Sequence, residues 1–401
     1  MSGDEVPDQR KVMEAYIADY ESCTSEKLNF QFLDIRKDQI DLRESEEYSC
    51  SIGQRPDNFL RNRYRDILPY NTNRVQLEPT ASNPEGYINA SVITSDETPT
   101  VYIASQAPLP ETVEDFWHMI CQKKINVIVM LCKCVESFTP KCEMYWPKNV
   151  GETRTFGDFA VTFVKETVFN EFSHRSLVVK SEKYGTLETE QLHYTEWPDH
   201  GCPQGEKQVL QLIEQMCTLR TTDSPILIHC SAGCGRTGTV IALTIIRDLI
   251  NQRTLKQLNV KELVSNLRRQ RTSMVQTQSQ YHLLRKCVAV YCKMALGIDT
   301  ETKSPASSPV VPDDRPMAPG LSLHTELRKP PALPLKPPTQ PPVPVEKKTS
   351  NPSSPAPPPP AITTPPVNTN PFLDPEPPRT NTNPFLEDVT SDSAELVCLQ
   401  P

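Results

Sequence analysis

A cysteine and an arginine flank five small residues in the run His229-Cys230-Ser231-Ala232-Gly233-Cys234-Gly235-Arg236-Thr237-Gly238. Small side chains from Ser231 to Gly235 let backbone N–H groups turn inward around an anion, and a helix N-terminus just beyond reinforces that field. Arg236 adds a planar fork matched to phosphate oxygens. The same field favours thiolate over thiol at Cys230, making the sulfur a nucleophile near neutral pH. The predicted chemistry is attack on a phosphate held in a cradle. The bare Cys–Arg pair carries little weight, because chance supplies such pairs in a chain holding this many of both. The specific signal is the whole run, placed behind an apolar strand and opening a helix.

Regular elements must deliver that loop. Pro225 to His229 (PILIH) reads as a short buried strand, and Thr239 to Ile250 (TVIALTIIRDLI) continues the loop as a helix with a broad apolar face. Val101 to Ser105, Ile125 to Leu131, Ser176 to Ser181 and Gln191 to Trp197 read as further strands, rich in Val, Ile and Tyr. Helical spacing appears at Val113, Phe116, Trp117 and Ile120, then at Val209, Leu212, Ile213 and Met216. It recurs at Val260, Leu263, Val264 and Leu267, and at Tyr281, Leu284 and Val288. These stripes are core faces. The expected fold class is α/β (α+β), a mixed twisted sheet flanked by helices. Residues 1–26, with Val12, Tyr16, Ile17 and Tyr20 at helical spacing, predict a helical extension packed on a domain of residues 27–297.

Composition changes class near residue 300. Of 40 prolines in 401 residues, 13 fall in residues 1–300 and 27 in residues 301–401. A segment about one quarter proline cannot build helices or interior strands, so a disordered proline-rich C-terminal tail is expected over 298–401. The 42 basic and 50 acidic residues give a net charge of −8, which argues against nucleic acid as a main partner. The apolar run Ile125 to Cys132 is far short of the roughly 20 residues of a membrane span. The polar start MSGDEVPDQR offers no apolar stretch for a signal peptide. Thirteen scattered cysteines, without a Cys-x-x-Cys knuckle, indicate reduced thiols in the cytosol or nucleus rather than disulfides or zinc.

His229 to Gly238 resembles the signature loop of the cysteine-dependent, tyrosine-specific protein phosphatases. Four further motifs stand in that family's order: Asn62-Arg-Tyr-Arg-Asp66, Tyr87-Ile-Asn-Ala-Ser91, Trp197-Pro-Asp199 and Gln276-Thr-Gln-Ser-Gln-Tyr281. Cys234, Thr237 and the proline-rich tail look most like the PEST-type non-receptor subgroup. The resemblance implies hydrolysis of phosphotyrosine in proteins, with no metal and no organic cofactor. It implies that Cys230 forms a phosphocysteine intermediate while Arg236 and the amides of Ser231, Ala232, Gly233, Cys234 and Gly235 hold the phosphate oxygens. Asp199, after Trp197, resembles the general acid on a mobile loop. Taken alone it reads as a turn aspartate, and only beside the cysteine loop as the acid. Gln276 and Gln280 match the glutamines that orient water, and Thr237 the hydroxyl that bonds the leaving sulfur; local caps are the alternative for each. Glu136 matches the carboxylate that braces the arginine, against a solvated strand-end charge. Tyr64 resembles the aromatic that lines a cleft too deep for phosphoserine, and Asp66 the acceptor for the substrate backbone.

Three residues depart from the family pattern. Ala107 stands where glycine is usual and would cost about 1 kcal/mol if φ > 0 is required there. His200 stands where some relatives have Phe and reads equally as a tuner of loop closure or a solvated side chain, and Ser273 stands where glycine would open a neighbouring pocket. Cys142 and Cys234 read as inert thiols, against the alternative that they influence oxidation of Cys230. In the tail, Arg328 to Lys336 places basic residues on both sides of Pro331 and Pro334, as in ligands of Src-homology-3 domains. Asn370 to Phe372 and Asn383 to Phe385 are duplicated Asn-Pro-Phe motifs that resemble ligands of EH domains. A second reading, a non-catalytic phosphotyrosine-binding scaffold, has no need for Cys230, Asp199 and Arg236 together.

Overall fold

Residues 8–43, 45–169, 172–198, 201–203, 205–221 and 224–298 are described by the structure, a computed structural model. The strands are β1 (Arg74–Gln76), β2 (Tyr87–Ser95), β3 (Thr98–Ser105), β4 (Val127–Met130), β5 (Val135–Glu136) and β6 (Thr139–Pro140). They continue as β7 (Thr153–Phe156), β8 (Phe159–Val168), β9 (Phe172–Ser181), β10 (Gly185–Tyr194) and β11 (Ile226–His229). The helices are α1 (Gln9–Ser22), α2 (Ser25–Arg43), α3 (Pro56–Phe59), α4 (Val113–Gln122), α5 (Glu206–Leu219), α6 (Gly235–Asn251), α7 (Val260–Arg268) and α8 (Gln278–Leu296).

One sheet runs β1-β2-β3-β11-β4-β10-β9-β8-β7, and β5 pairs with β6 as a separate hairpin. Its centre is parallel: β11 pairs with β3 on one side and β4 on the other, and β4 pairs with β10. Antiparallel strands extend both flanks. A central parallel strand is covered on both faces and therefore reads as an unbroken apolar run. Ile226, Leu227 and Ile228 of β11 are fully buried, as are Val127, Ile128, Val129 and Met130 of β4. Alternation divides them between two cores. Ile226, Ile228, Val127 and Val129 face the side packed by α1, α2 and α5 to α8. Leu227, Ile128 and Met130 face the side packed by α4. Each such side chain contributes about 1.5–3 kcal/mol of burial. In open parallel sheets, ligands bind beyond the carboxyl ends of the strands. Here the segments after β3, β4, β10 and β11 leave from that one edge.

The five expected strands and six expected helices all occur, with two differences. Gln191 to Trp197 was expected to be one strand, but the ladder ends at Tyr194. Pairing with β4 stops at His193 and with β9 at Tyr194, and Pro198 has no N–H to extend it. The domain start expected at residue 27 falls inside α2. Leu28, Phe32 and Ile35 of that helix are buried while Phe30, Leu33 and Ile40 are exposed, so no single stripe marks it in the sequence. Helix α1 joins the same core through Met13, Tyr16 and Ile17, and the Tyr16 hydroxyl donates to the Arg285 carbonyl (3.2 Å).

Candidate active site

Cys230 follows β11 directly, and its loop closes around its own sulfur. The Gly233 N–H (3.2 Å) and the Thr237 hydroxyl (3.3 Å) both donate to Cys230 Sγ. Gly233 is required for two reasons. Its φ of +71° lies in the left-handed region, and a Cβ there would meet the Ser105 carbonyl oxygen at 2.1 Å. Gly235 opens α6, where the Cys234 side chain makes no cap hydrogen bond, so the first helix amides stay available to an anion. A Cβ on Gly235 would lie 2.7 Å from Gln280 Oε1 and 3.1 Å from the Gln276 Cβ. The small residues read from the sequence thus create both the concavity and the close approach of the glutamines.

Arg236, the second residue of α6, is held by a fork. Its Nη1 donates to Glu136 Oε1 (2.7 Å) and the Leu131 carbonyl (2.9 Å). Its Nη2 donates to Glu136 Oε2 (3.0 Å) and the Pro198 carbonyl (3.0 Å). Burial disfavours the guanidinium charge, but the bonds and charge of Glu136 outweigh it and hold Arg236 above its ordinary range. Glu136 is therefore no solvated strand-end charge; it is 7 % exposed. Asp199 and His200 lie outside the described residues. Next to them, Trp197 is buried, and its indole N–H donates to the Gly201 carbonyl (3.2 Å).

The other expected residues gather on the same edge. Tyr64 is buried, and its hydroxyl lies 2.9 Å from Ser231 Oγ, which donates to the Lys141 carbonyl (3.1 Å). Asp66 follows it, half-buried. Gln280 Oε1 accepts from the Gln276 N–H (2.9 Å) and the Thr277 N–H (3.3 Å), closing a capping box on α8. The cap weighed as an alternative for Gln280 is real, while Gln276 Nε2 is buried with no hydrogen-bond partner among the described residues. His229 is fully buried, and burial pushes its imidazole down to about 3. It is neutral, with Nδ1 3.2 Å from the Cys230 carbonyl and Nε2 2.9 Å from the Tyr145 hydroxyl. Burial pushes the Cys234 thiol up to about 12, and the Cys142 thiol well above its usual range, as expected of packing thiols.

The backbone condition set for Ala107 is not met. The residue does not occupy the left-handed region, so it carries no such backbone cost. Its methyl is buried, its N–H donates to the Ser231 carbonyl (3.0 Å), and its own carbonyl accepts from Arg63 Nε (3.2 Å). Ser273, by contrast, is buried at φ 59°, where a glycine would sit without strain.

Sequence reasoning missed several residues that shape the loop. Arg271 is fully buried and donates to the carbonyls of Gly233 (2.7 Å) and Ala232 (3.0 Å), to Asn89 Oδ1 (2.8 Å) and to Ser91 Oγ (3.1 Å). Tyr145, which accepts from Gln191 Nε2 (2.8 Å), fixes His229 from behind. Arg63 ties the Ala107 carbonyl to that of Pro108 (2.7 Å). Arg63 lies inside one of the quoted motifs and was readable there. Arg271 sits in a basic run that looks solvent-facing, and nothing in its spacing marks it as buried.

Comparison with known proteins gives consistent matches. The family model described as protein-tyrosine phosphatase matches residues 58–290. The chain is 41% identical over 239 residues to the receptor-type tyrosine-protein phosphatase eta of Gallus gallus, covering 58% of this chain and 16% of that protein. It is 36% identical over 261 residues to the human tyrosine-protein phosphatase non-receptor type 12, covering 64% and 33%. The chain thus spans a third or less of these two curated relatives. The crystal structure of the catalytic domain of human protein tyrosine phosphatase non-receptor type 18 matches with a TM-score of 0.63 at 32% identity, over 66% of this chain and 96% of that one. With the matched region enclosing the phosphate loop, its bracing glutamate and both glutamines, the chain belongs to the protein-tyrosine phosphatase family.

Proposed function

We propose that this chain hydrolyses phosphotyrosine in proteins through a phosphocysteine intermediate on Cys230. The observation that carries the reading is the thiol at the base of a cradle, with the Gly233 N–H and Thr237 O–H on its sulfur and Arg236 clamped beside it by Glu136. The Cys230 thiolate attacks phosphorus in line, the phosphorus–oxygen ester bond breaks, and the leaving phenolate takes a proton from Asp199. Arg236 and the amides from Ser231 to Gly235 hold the equatorial oxygens as charge develops. In the second step Gln276 orients a water, Asp199 receives its proton, and the phosphorus–sulfur bond breaks to release inorganic phosphate. Thr237 stabilises the departing thiolate. The buried ring of Tyr64 supports a deep cleft that admits a phosphotyrosine ring and leaves phosphoserine short of Cys230. Asp66 serves as acceptor for the substrate backbone.

We place the chain in the PEST-type non-receptor subgroup on Cys234, Thr237 and the proline-rich tail. Its similarity to non-receptor types 12 and 18 supports that placement. The free cysteines among the described residues fit a reducing cytosol or nucleus. No helix among those residues is long and apolar enough to cross a membrane. The tail motifs, Arg328 to Lys336, Asn370 to Phe372 and Asn383 to Phe385, lie outside the described residues; we assign them recruitment of Src-homology-3 and EH domains. The test compares a phosphotyrosine peptide with a phosphoserine peptide, using the full chain under reducing conditions. Turnover of the first alone, abolished in Cys230→Ser, is expected. Binding without turnover would overturn the enzyme reading in favour of a scaffold.

A further inference from the structure

We infer that Phe138 determines substrate specificity: its ring stands at the rim of the site to take a bulky apolar side chain flanking the phosphotyrosine of a substrate protein. The inference rests on the phosphotyrosine reading above, and the β5–β6 hairpin carries it. On its inner side that hairpin is fastened to the phosphate loop. Glu136 grips Arg236, the Lys141 carbonyl accepts from Ser231 Oγ (3.1 Å), and the Pro140 carbonyl accepts from Arg63 Nη1 (3.4 Å). Its turn, Ser137-Phe138, projects outward. Phe138 is 102 % exposed, the most exposed large apolar side chain among the described residues, and neighbouring Val135 is 56 % exposed.

Folding gains nothing from phenylalanine here. Ser137 and Phe138 both have positive φ, 46° and 61°. Two-residue hairpin turns of that kind favour Asn-Gly, because a Cβ opposes the left-handed conformation. A bulky aromatic there is an outlier, and this ring buries no area in return. A residue unfavourable to its own fold in two independent ways, on a hairpin locked to the phosphate cradle, is accounted for by a contact made with something that binds there. Phe138 lies two residues from Glu136, at most roughly 7 Å along the chain, which sets it beside the cradle that Glu136 braces. Ser137, Phe138, Thr139 and Pro140 carry no charge, so the tip itself offers its contact to an apolar flank, while Lys133 and Lys141 stand at the base of the hairpin.

The experiment uses the full chain and a set of phosphotyrosine peptides in which leucine or phenylalanine is moved through the three positions on either side, against glycine. Para-nitrophenyl phosphate serves as the substrate without flanks. The wild type should prefer an apolar flank at one or more positions by about tenfold in kcat/KM, expressed in KM. Phe138→Gly should lose that preference, keep its para-nitrophenyl phosphate turnover, and unfold at a higher urea concentration. The same peptides are titrated against Cys230→Ser protein, so absence of turnover alone would count against the phosphatase reading and leave the flank comparison readable as Kd. No apolar preference at any position, or a preference that survives Phe138→Gly, would overturn the proposal.

Discussion

Replacing Glu136 by alanine removes the carboxylate that holds both terminal nitrogens of Arg236, leaving the guanidinium only the Leu131 and Pro198 carbonyls. Two unit charges about 4 Å apart interact by about 4 kcal/mol at an effective dielectric constant of about 20. Stripping one partner from a buried pair costs about 3–5 kcal/mol. The Arg236 and Glu136 side chains are 11 % and 5 % exposed, so solvent screening discounts little of that. We expect Glu136→Ala to lose about 3 kcal/mol of stability. We expect kcat/KM to fall about 10²-fold, because an unbraced fork no longer presents its N–H groups in a fixed plane to the transition state. Glu136→Gln keeps one acceptor and should lose less of both. The assay pairs urea unfolding with steady-state turnover of a phosphotyrosine peptide at a temperature where each variant is folded. A stability loss with kcat/KM within threefold of wild type would refute the reasoning and reduce Glu136 to a strut. So would an undiminished effect of Glu136→Ala in an Arg236→Ala background, since the carboxylate acts only through the guanidinium.

Two further outcomes follow from the same geometry. Thr237→Val removes the hydroxyl on Cys230 Sγ while keeping the side chain's shape, so breakdown of the phosphocysteine should slow about tenfold. A burst of product in rapid-mixing kinetics should then appear, and an unchanged second step would sink that role. Burial holds His193 at about 4, whereas the unfolded chain takes up that proton near the ordinary 6.5. The stability due to His193 is therefore complete above about 6.5 and lost as pH falls toward 4, at up to about 1.4 kcal/mol per pH unit. His193→Gln should flatten the urea-derived stability curve by that slope in that window. Parallel curves for the two proteins would contradict it. His229, driven in the same direction to about 3, keeps its own slope in both.

What was legible in the sequence is what periodicity and local chemistry encode. β11 declares itself because a doubly covered parallel strand must be apolar throughout, and α6 because its apolar face is wide. The cysteine loop is legible because an anion cradle needs small residues in sequence, so its parts are neighbours in the chain. Helix α2 was illegible because exposed Phe30, Leu33 and Ile40 blur the stripe that Leu28, Phe32 and Ile35 would make. At Ala107 the sequence could state a backbone cost only on condition of a positive φ, because a family preference for glycine does not say why glycine is preferred, and that condition is not met at this backbone.

The buried charges divide by the same logic. Glu136 was found because family resemblance pointed to it, not because two residues 100 positions apart announce an ion pair. Arg271 had no such pointer, yet from outside it holds the Ala232 and Gly233 carbonyls, and the N–H of the first of those peptide groups, that of Gly233, turns the other way onto Cys230 Sγ. A peptide group presents its N–H and C=O on opposite sides, so amides can converge on a phosphate only if their carbonyls diverge into the protein. Those carbonyls are then buried and must find donors. A buried, five-donor guanidinium answers that need better than a lysine, whose compact charge demands more solvation. An inward-turned loop therefore implies an outward donor, and its identity is fixed by three-dimensional packing. The sequence states the first half of that requirement at Cys230 to Arg236 and is silent on the second.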